Sequence, residues 1–283
     1  MSLAAANVAV AEVYVDSTQS AQNSSQNANH TYFTFNLGIQ QIVGFRIVNV
    51  EVPGSYNAIS AVNNNFFVSV GGGAPTAIKL TPGNYNVTTF TTMLIAVLAA
   101  AFSSGTWTSS VDSNTGQLLL QYTGNYYTIS FPKYDSAASV LGFSRFNNNN
   151  TFASSGGTNK LTSPYTVNLS GPNYLFLNTT LAQEYSQYTF PIGVPSPNVA
   201  ARVPVQVTPG AGQTTFWTNP NPNFFLFDPV DVTTFEFYWR TPDDSTVDVD
   251  FNGQGFSLTC AVLLRNNSNF VELNVVKGRN LII

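Results

Sequence analysis

The sequence predicts an all-β protein built mainly as a sandwich of antiparallel sheets. Short runs of alternating, β-branched and aromatic residues are separated by Gly, Pro and Asn, which is the pattern of strands joined by turns. Of the 283 residues, 43% are hydrophobic and 13% aromatic, whereas only 8% are charged. Asn, Thr, Ser, Gln and Gly therefore supply most of the polarity, which favours strands and turns over salt-bridged helices.

The first part of the chain alternates between strands and polar segments. Residues 8–15 are predicted to form a strand, and the polar tract from Asp16 to His30 a loop or an arm that orders on assembly. Further strands are predicted at 31–37 and 42–52, the latter ended by Pro53-Gly54. Strands at 66–70 and 77–80 flank Gly71-Gly-Gly-Ala-Pro75, which predicts a hairpin.

One helix is predicted after Pro82-Gly83-Asn84, capped by Asn86 or Thr88. Its apolar residues recur at the spacing of a single helical face: Phe90, Met93, Leu94, Val97, Leu98, Ala101 and Phe102. Strands are predicted to follow at 107–111, 117–122 and 126–131, joined by turns. Residues 135–141 predict a short helical turn closed by Gly142.

A second group of strands is predicted after a polar boundary. Residues 143–164 are rich in Asn, Ser and Gly and predict a flexible connection. Strands are then predicted at 165–169, 174–178, 187–192, 202–207, 214–217, 233–240, 246–250, 256–264 and 270–275. So many short strands indicate a β-sandwich, and the length allows one large sandwich or two modest domains.

The charge of the chain argues against binding to nucleic acid. The net charge is −4 and only ten residues are Lys or Arg, whereas affinity for phosphates comes from clustered basic side chains. No run of about 18 apolar residues occurs, so no membrane-spanning helix is expected. Residues 1–15 lack a basic start followed by a long apolar core, so no signal peptide is expected.

Residues able to carry catalysis are scarce. His30 is the single histidine and Cys260 the single cysteine, and they lie at opposite ends of the sequence. Acid–base or nucleophilic catalysis would need both to meet in one pocket, and a zinc site would need several such ligands. Cys260 is predicted to be a buried strand thiol, because it lies in an apolar run. No enzymatic activity is expected.

Three other motifs have a structural and a functional interpretation. Asp243, Asp244, Asp248 and Asp250 could supply carboxylates to Ca²⁺, but their spacing does not match an EF-hand loop and a solvated hairpin is favoured. Gly71-Gly-Gly73 lacks the Lys and Ser or Thr of a phosphate loop, so it predicts a turn. An aromatic group could stack sugars or bases, although packing in a core or interface is favoured; its members are Phe224, Phe225, Phe227, Phe235, Phe237, Tyr238 and Trp239.

Four passages form a pattern that spans nearly the whole chain. The first comprises Val13-Tyr-Val-Asp-Ser17, Phe33-Thr-Phe-Asn-Leu37, Val43-Gly-Phe-Arg-Ile-Val-Asn-Val-Glu-Val-Pro53, Ser55-Tyr-Asn-Ala-Ile59 and Asn63-Asn-Asn-Phe66. The second comprises Leu80-Thr-Pro-Gly-Asn-Tyr-Asn-Val87, Asp112-Ser-Asn-Thr-Gly-Gln-Leu118 and Leu141-Gly-Phe143. The third is Gly171-Pro-Asn-Tyr-Leu-Phe-Leu177, and the fourth runs from Phe235-Glu-Phe237 to Asp250-Phe-Asn-Gly-Gln-Gly-Phe-Ser-Leu258. In this order the passages resemble the penton-type and minor jelly-roll capsid proteins of large eukaryotic DNA viruses and virophages.

The resemblance implies a jelly-roll β-sandwich interrupted by a smaller, mostly β, α+β domain. The expected parts are an arm and first jelly-roll strands at 1–60, an insertion domain at 61–164 and the remaining jelly-roll strands at 165–283. It further implies a structural virion protein, made in the host cytoplasm, that forms a homopentamer at the fivefold vertex of an icosahedral capsid. Its partners would be copies of itself, the major capsid protein and other minor capsid proteins, and no cofactor or metal is expected.

Two other functions remain open on the sequence. The chain could be a minor capsid protein that cements neighbouring capsomers, or a carbohydrate-binding sandwich or adhesin that stacks sugars on Tyr126, Tyr127 or Trp217. In the capsid interpretation, the Asp16 to His30 arm and the C-terminal segment Lys277-Gly-Arg-Asn-Leu-Ile-Ile283 are the expected contacts with neighbours, since exposed termini often order on docking.

Overall fold

A computed structural model describes residues 8–18, 30–34, 40–132, 136–143, 151–155, 159–180, 198–205, 212–221, 223–230, 234–242 and 244–266. In chain order, the elements in these ranges are β1 (Val8–Asp16), β2 (His30–Thr34), β3 (Gln40–Pro53), β4 (Asn65–Val70), β5 (Thr76–Lys79), α1 (Val87–Ala101), β6 (Trp107–Val111), β7 (Gln117–Tyr122), β8 (Tyr127–Ser130), β9 (Thr151–Ala153), β10 (Lys160–Thr166), β11 (Tyr174–Thr179), β12 (Val199–Pro204), β13 (Thr214–Thr218), β14 (Phe225–Val230), β15 (Thr234–Thr241), β16 (Asp244–Asp248) and β17 (Ser257–Asn266). The described chain is therefore mostly β, as predicted.

Two antiparallel sheets, each built from strands of both ends of the chain, have the strand order of a jelly roll. The β1 sheet has the order β1-β17-β3-β13, with β14 also paired to β3. The β2 sheet has the order β12-β11-β15-β16, with β2 also paired to β15. Four antiparallel pairs, namely β1·β17, β2·β15, β3·β13 and β11·β12, join the first half of the sandwich to the second in reverse order. This is the strand connectivity of one long antiparallel hairpin that folds over into two sheets, which defines the jelly roll.

Both sheets contribute one face to a shared hydrophobic core. Alternate residues of β15 and β11 point inward, which places Phe235, Phe237 and Trp239 beside Leu175 and Leu177. The Trp239 ring lies edge-on to Phe256, with ring centroids 5.6 Å apart. Such edge-to-face contacts between buried rings add about 0.5–1.5 kcal/mol to the stabilisation from burial alone.

Two bulges explain why the apolar residues of β3 do not alternate strictly. The core-facing residues are Ile42, Phe45, Ile47, Val50 and Val52. The pairing of β3 with β17 shifts once between Asn49 and Ile47 and once between Gly44 and Ile42. Each shift adds one residue to β3, so the strand restarts its alternation and keeps the next apolar side chain in the core.

Residues between β3 and β11 form a unit with a hydrophobic core of its own. One sheet has the order β10-β7-β6 and the other β5-β4-β8-β9, and α1 contacts β5 and β6. Tyr56 belongs to the jelly-roll core, whereas Ile59 belongs to this second core. On the return, Leu169 packs against the second core and Leu175 belongs to the jelly-roll core. The chain thus changes from one core to the other within a few residues at each crossing.

The helix α1 begins where the sequence predicted. Asn86 is the N-cap: its side-chain oxygen accepts a hydrogen bond from the Thr89 N–H at 2.9 Å, and the Thr89 hydroxyl oxygen accepts one from the Asn86 N–H at 3.1 Å. This reciprocal pair satisfies N–H groups that the first turn leaves without a helical partner. Phe90, Leu94 and Leu98 form the buried face of the helix.

Several predicted boundaries are wrong. Residues 143–164 are not simply a flexible connection, because β9 and most of β10 lie there and Phe152 and Leu161 pack against the second core. The strand predicted at 165–169 is displaced, since β10 ends at Thr166. The strand predicted at 202–207 starts earlier, because the buried residues from Val199 onward belong to β12.

Two further differences concern single elements. β14 was not predicted, and Pro229 within it is a residue that disfavours strands. β16 ends at Asp248, two residues before the predicted end. The predicted helical turn closed by Gly142 is confirmed by the hydrogen bond from the Leu141 N–H to the Ala137 carbonyl and by the φ of 77° at Gly142. The predicted strands at 187–192 and 270–275 lie outside the described residues.

Removing a large side chain from the buried face of α1 tests the second core. We expect Leu94→Ala to lower the free energy of unfolding by about 2–5 kcal/mol, because it leaves a cavity. Thr92→Ala, on the exposed face of the same helix, is the matched control and should change it by less than about 0.5 kcal/mol. Urea denaturation measures both. Equal effects of the two substitutions would contradict the assignment of the buried face.

Candidate functional surfaces

The two residues that catalysis would need, His30 and Cys260, lie on strands of different sheets. Cys260 lies in β17 with its side chain in the jelly-roll core, so the predicted buried strand thiol is confirmed. Burial raises the pKa of this thiol to about 12, so it stays protonated and unreactive at neutral pH. His30 begins β2, where its backbone is paired with that of Tyr238, rather than ending a loop as predicted.

The acidic turn near the C-terminal end lies only partly within the described residues. Asp243 lies outside them, and Asp244 and Asp248 bound β16. Asp250 is exposed beyond that strand, and its carboxylate accepts a hydrogen bond from the Asn252 N–H at 2.8 Å, as in a local turn. Among the described residues, no group of three or more His, Cys, Asp or Glu side chains could hold a metal ion. The preference for a solvated hairpin over a calcium site remains a prediction.

The glycine-rich segment and the aromatic group have structural roles. Gly71 and Gly72 have φ values of 61° and 77° between the paired strands β4 and β5, so the predicted hairpin is confirmed. Phe235, Phe237 and Trp239 are buried in the jelly-roll core. Phe225 packs against that core and stacks on Phe45, with ring centroids 5.2 Å apart. Core packing is therefore confirmed for these aromatic residues.

The proposed sugar-stacking residues do not form one platform. Tyr127 is fully buried and its hydroxyl donates a hydrogen bond to the Leu120 carbonyl at 2.7 Å, so its proposed role is wrong. Trp217 is half-buried and packs against the jelly-roll core. Tyr126 is exposed, but it belongs to the inserted unit, whereas Trp217 belongs to the β1 sheet.

The outer face of the β2 sheet pairs two arginines with aromatic rings. The Arg202 guanidinium lies over the Tyr174 ring at 3.8 Å from its centroid, and Arg240 lies 5.0 Å from the Tyr238 ring centroid. Asn198 donates a hydrogen bond to the Tyr238 hydroxyl at 2.9 Å. Cation–π contacts of this kind order long cationic side chains against a sheet. Arg240 and Tyr238 lie two residues apart on β15, whereas Arg202 and Tyr174 lie on neighbouring strands, so only the contact between the latter two depends on cross-strand register.

A cleft of about 210 Å³ lies where the jelly roll meets the inserted unit. Its lining comes from both connections and from the acidic turn, and includes Tyr56, Ala58, Val62, Pro172, Thr241 and Asp250. Asn84 holds the first connection in place: its side chain accepts a hydrogen bond from the Ala58 N–H at 2.7 Å and donates to the Tyr56 carbonyl at 3.4 Å. The passage 55–59 was noticed in the sequence, but its position at a junction was not predicted.

Tyr56 lines this cleft, and its side chain is buried. Its ring lies edge-on to Phe251 in the jelly-roll core, with centroids 6.4 Å apart. The hydroxyl is buried and has no hydrogen-bond partner among the described residues. Burial also raises the pKa of Tyr56 to about 12. The hydroxyl therefore costs stability in the folded state, because burial removes its hydrogen bonds to water without replacing them.

The strand order defines the chain as a jelly-roll protein with an insertion between its third and fourth core strands, β3 and β11. It is similar to the mavirus penton protein, with 7% sequence identity, 91% of this chain and 99% of that chain covered, and a TM-score of 0.45. It is also similar to a chain in a cryo-EM structure of the Sputnik virophage, with 13% identity, 93% and 98% covered, and a TM-score of 0.40.

A weaker likeness involves two domains of the flagellar cap protein of Escherichia coli, with 12% identity, 82% and 100% covered, and a TM-score of 0.24. No protein-family model and no curated protein matches the chain. All three TM-scores lie below 0.5, so these likenesses assign no function. No helix among the described residues is long and apolar enough to cross a membrane.

Removing the Tyr56 hydroxyl should stabilise the protein. We expect Tyr56→Phe to raise the free energy of unfolding at pH 7 by about 1 kcal/mol, because it removes a buried polar group without a partner. The folded-state pKa is above that of an unfolded tyrosine, so the wild type should lose stability as pH rises from about 10 to about 12, and the advantage of Tyr56→Phe should widen there.

Tyr127→Phe is the matched control for this measurement by urea denaturation. Tyr127 is also buried, but its hydroxyl has a partner in the Leu120 carbonyl, so the substitution should destabilise the protein by about 1 kcal/mol. A loss of stability in Tyr56→Phe similar to that in Tyr127→Phe would mean that the Tyr56 hydroxyl has a partner in solution.

Proposed function

We propose that this protein is the penton, or fivefold-vertex, component of an icosahedral viral capsid and assembles as a homopentamer. The observation that carries the proposal is the jelly-roll strand order interrupted between β3 and β11 by a unit with its own core. The jelly roll is an architecture of viral capsid and lectin domains. The order of sequence passages, which resembles that of penton-type capsid proteins, favours the capsid function over the lectin function.

The composition of the chain supports a role in permanent assembly. Only 8% of the residues are charged, and the net charge is −4 for 283 residues. A surface with so few charges has little electrostatic repulsion to keep copies apart in solution. Heterologous contacts that close into a ring would cover such a surface in every copy. The major capsid protein and other minor capsid proteins would then be its neighbours in the virion.

We also propose that the jelly roll and the inserted unit have different functions in the capsid. The jelly roll, from residues 1–60 and 165–283, would form the ring contacts, and the inserted unit at 61–164 would project outward. The change of core between Tyr56 and Ile59 supports the first boundary. On the return, Val167 and Leu169 still pack against the second core, which suggests that the inserted unit extends a few residues beyond 164.

The mass of the purified protein in solution tests this proposal. Native mass spectrometry should detect a discrete species of five 30.6 kDa chains, about 153 kDa. Because few charges are available for ionic contacts, the pentamer should persist when the salt concentration is raised from about 0.1 to about 0.5 M.

A persistent monomer at all concentrations would contradict self-assembly into a pentamer. That result would favour a cement protein that joins neighbouring capsomers, because such a protein needs the capsid lattice and not copies of itself. Glycan binding by that monomer would instead favour the carbohydrate-binding function.

A further inference from the structure

Exposed apolar side chains concentrate on the outer face of the β1 sheet. Eight large hydrophobic residues are exposed among the described residues, and five of them belong to this sheet: Val8, Val10, Tyr14, Phe216 and Leu226. Each of the strands that carry them also has inward neighbours in or against the jelly-roll core, namely Val13, Val15, Trp217 and Phe225. Strand alternation therefore places the five side chains on the opposite, outer face.

Two of these side chains, Val10 and Leu226, belong to a continuous apolar row across four strands, whereas Val8, Tyr14 and Phe216 pair with Arg265, Thr259 and Glu51. The register pairs Val10 with Leu263, Leu263 with Gly44, and Gly44 with Leu226. A methyl group at Gly44 would lie 3.0 Å from Leu226 Cδ2 and 3.1 Å from Leu263 Cδ1. The two leucine side chains therefore meet above Gly44 and close the row without a polar residue in it.

Among the described residues, β1 is also the last strand at one edge of its sheet. β1 pairs with β17 along one edge, and no described residue pairs with its other edge. The strand is nine residues long and contains no Lys, Arg or Pro; Glu12 and Asp16 are its only charged residues. Soluble proteins usually protect an exposed edge with basic residues, proline or a short strand. An edge of this length and composition is suited to contact with another protein surface.

The size of the surface indicates a folded protein as its occupant. Four strands at about 4.8 Å span about 19 Å, and the six steps from Val8 to Tyr14 span about 20 Å, which gives a face of about 400 Å². The β1 edge adds a strip about 30 Å long. A stable interface buries about 800 Å² on each partner, so the face and edge together supply most of one side. One added strand would cover the edge but not the face.

The charged residues on the outer face of the β1 sheet indicate which protein surface could bind there. In the row beside the apolar one, Glu12 pairs with Ala261 and Ala261 with Arg46, so one acidic and one basic side chain flank a small residue. This row crosses the face between the rows of Val10 and Tyr14, so both signs lie within the contact and complement a surface of low net charge, such as that of this chain. A two-fold pairing that used all nine residues of β1 would place Glu12 opposite its own copy, where like charges repel. A heterologous contact avoids this repulsion.

We propose that the outer face and free edge of the β1 sheet, from β1 to β14, form the contact with a second copy of this chain. The choice of a second copy rests on the proposed vertex function, in which every subunit touches two neighbours in a closed ring. The contact is heterologous: the β1 margin of one copy packs against a different surface of the next. It buries Val10, Tyr14 and Leu226 and satisfies the free edge of β1.

Matched charge insertions test this contact. Tyr14→Arg and Leu226→Arg place a cation on opposite margins of the face, whereas Tyr165→Arg places one on the inserted unit. Tyr14 is 62% exposed and Tyr165 58%, so the two tyrosine substitutions are equally tolerable in a monomer. We expect Tyr14→Arg and Leu226→Arg each to weaken self-association at least about tenfold. We expect Tyr165→Arg to leave it within twofold of the wild type.

Native mass spectrometry over a dilution series measures association, and circular dichroism with thermal melting verifies folding. Leu226→Arg keeps the test valid if Tyr14→Arg unfolds the edge strand. Wild-type pentamers that neither variant weakens, or that Tyr165→Arg weakens equally, would overturn the contact and leave the vertex proposal standing. A smaller oligomer that Tyr14→Arg dissociates would support the contact and overturn the vertex proposal. A wild type that never self-associates would overturn both.

Discussion

The pairing of β17 with both β1 and β3 is the constraint on which the rest of the sandwich depends. β17 brings Leu258, Cys260 and Val262 into the jelly-roll core while it holds β1 on one side and β3 on the other. β1 has no other partner strand among the described residues, so its position depends on β17 alone. These strands come from the two ends of the sequence, so their pairing is non-local, which slows folding.

The inserted unit is compatible with the pairing of β17 with β1 and β3, because the two connections that join the unit to the jelly roll lie side by side. Tyr56 on the way out and Pro172 on the way back line the same cleft. An insertion whose ends are close together does not force the host sheets apart, so each core can pack independently. The Asn84 side chain fastens the outward connection to the inserted unit, and the Asn252 side chain donates a hydrogen bond to the Ser55 carbonyl from the jelly-roll side.

The sequence predicted the local features well where one physical signal dominated. The apolar face of α1, the hairpin at Gly71 and Gly72, and the buried thiol of Cys260 follow from spacing, glycine conformation and apolar surroundings. Prediction failed where tertiary contacts outweighed composition, as at Phe152, whose strand lies in a polar tract but packs on a core. Tyr127 was considered as an exposed platform because alternation alone does not show which face of a strand is buried.

The strand order itself lay beyond local patterns. No run of residues specifies that β17 inserts between β1 and β3, so the jelly roll was implied only by a family resemblance in the order of passages. The register that aligns Val10, Leu263, Gly44 and Leu226 could likewise not be read from the sequence, since β3 contains two bulges. The convergence of exposed apolar residues on one face was therefore not predicted.

Low charge, a jelly roll and the apolar outer face of the β1 sheet all support the proposed role in assembly. A cryo-EM reconstruction of the protein assembled from its purified chain tests this link most directly. The proposed vertex function predicts five copies around one axis, with β1 and the outer face of its sheet buried against the adjacent copy. A ring in which β1 faces solvent, or an assembly without fivefold symmetry, would contradict it.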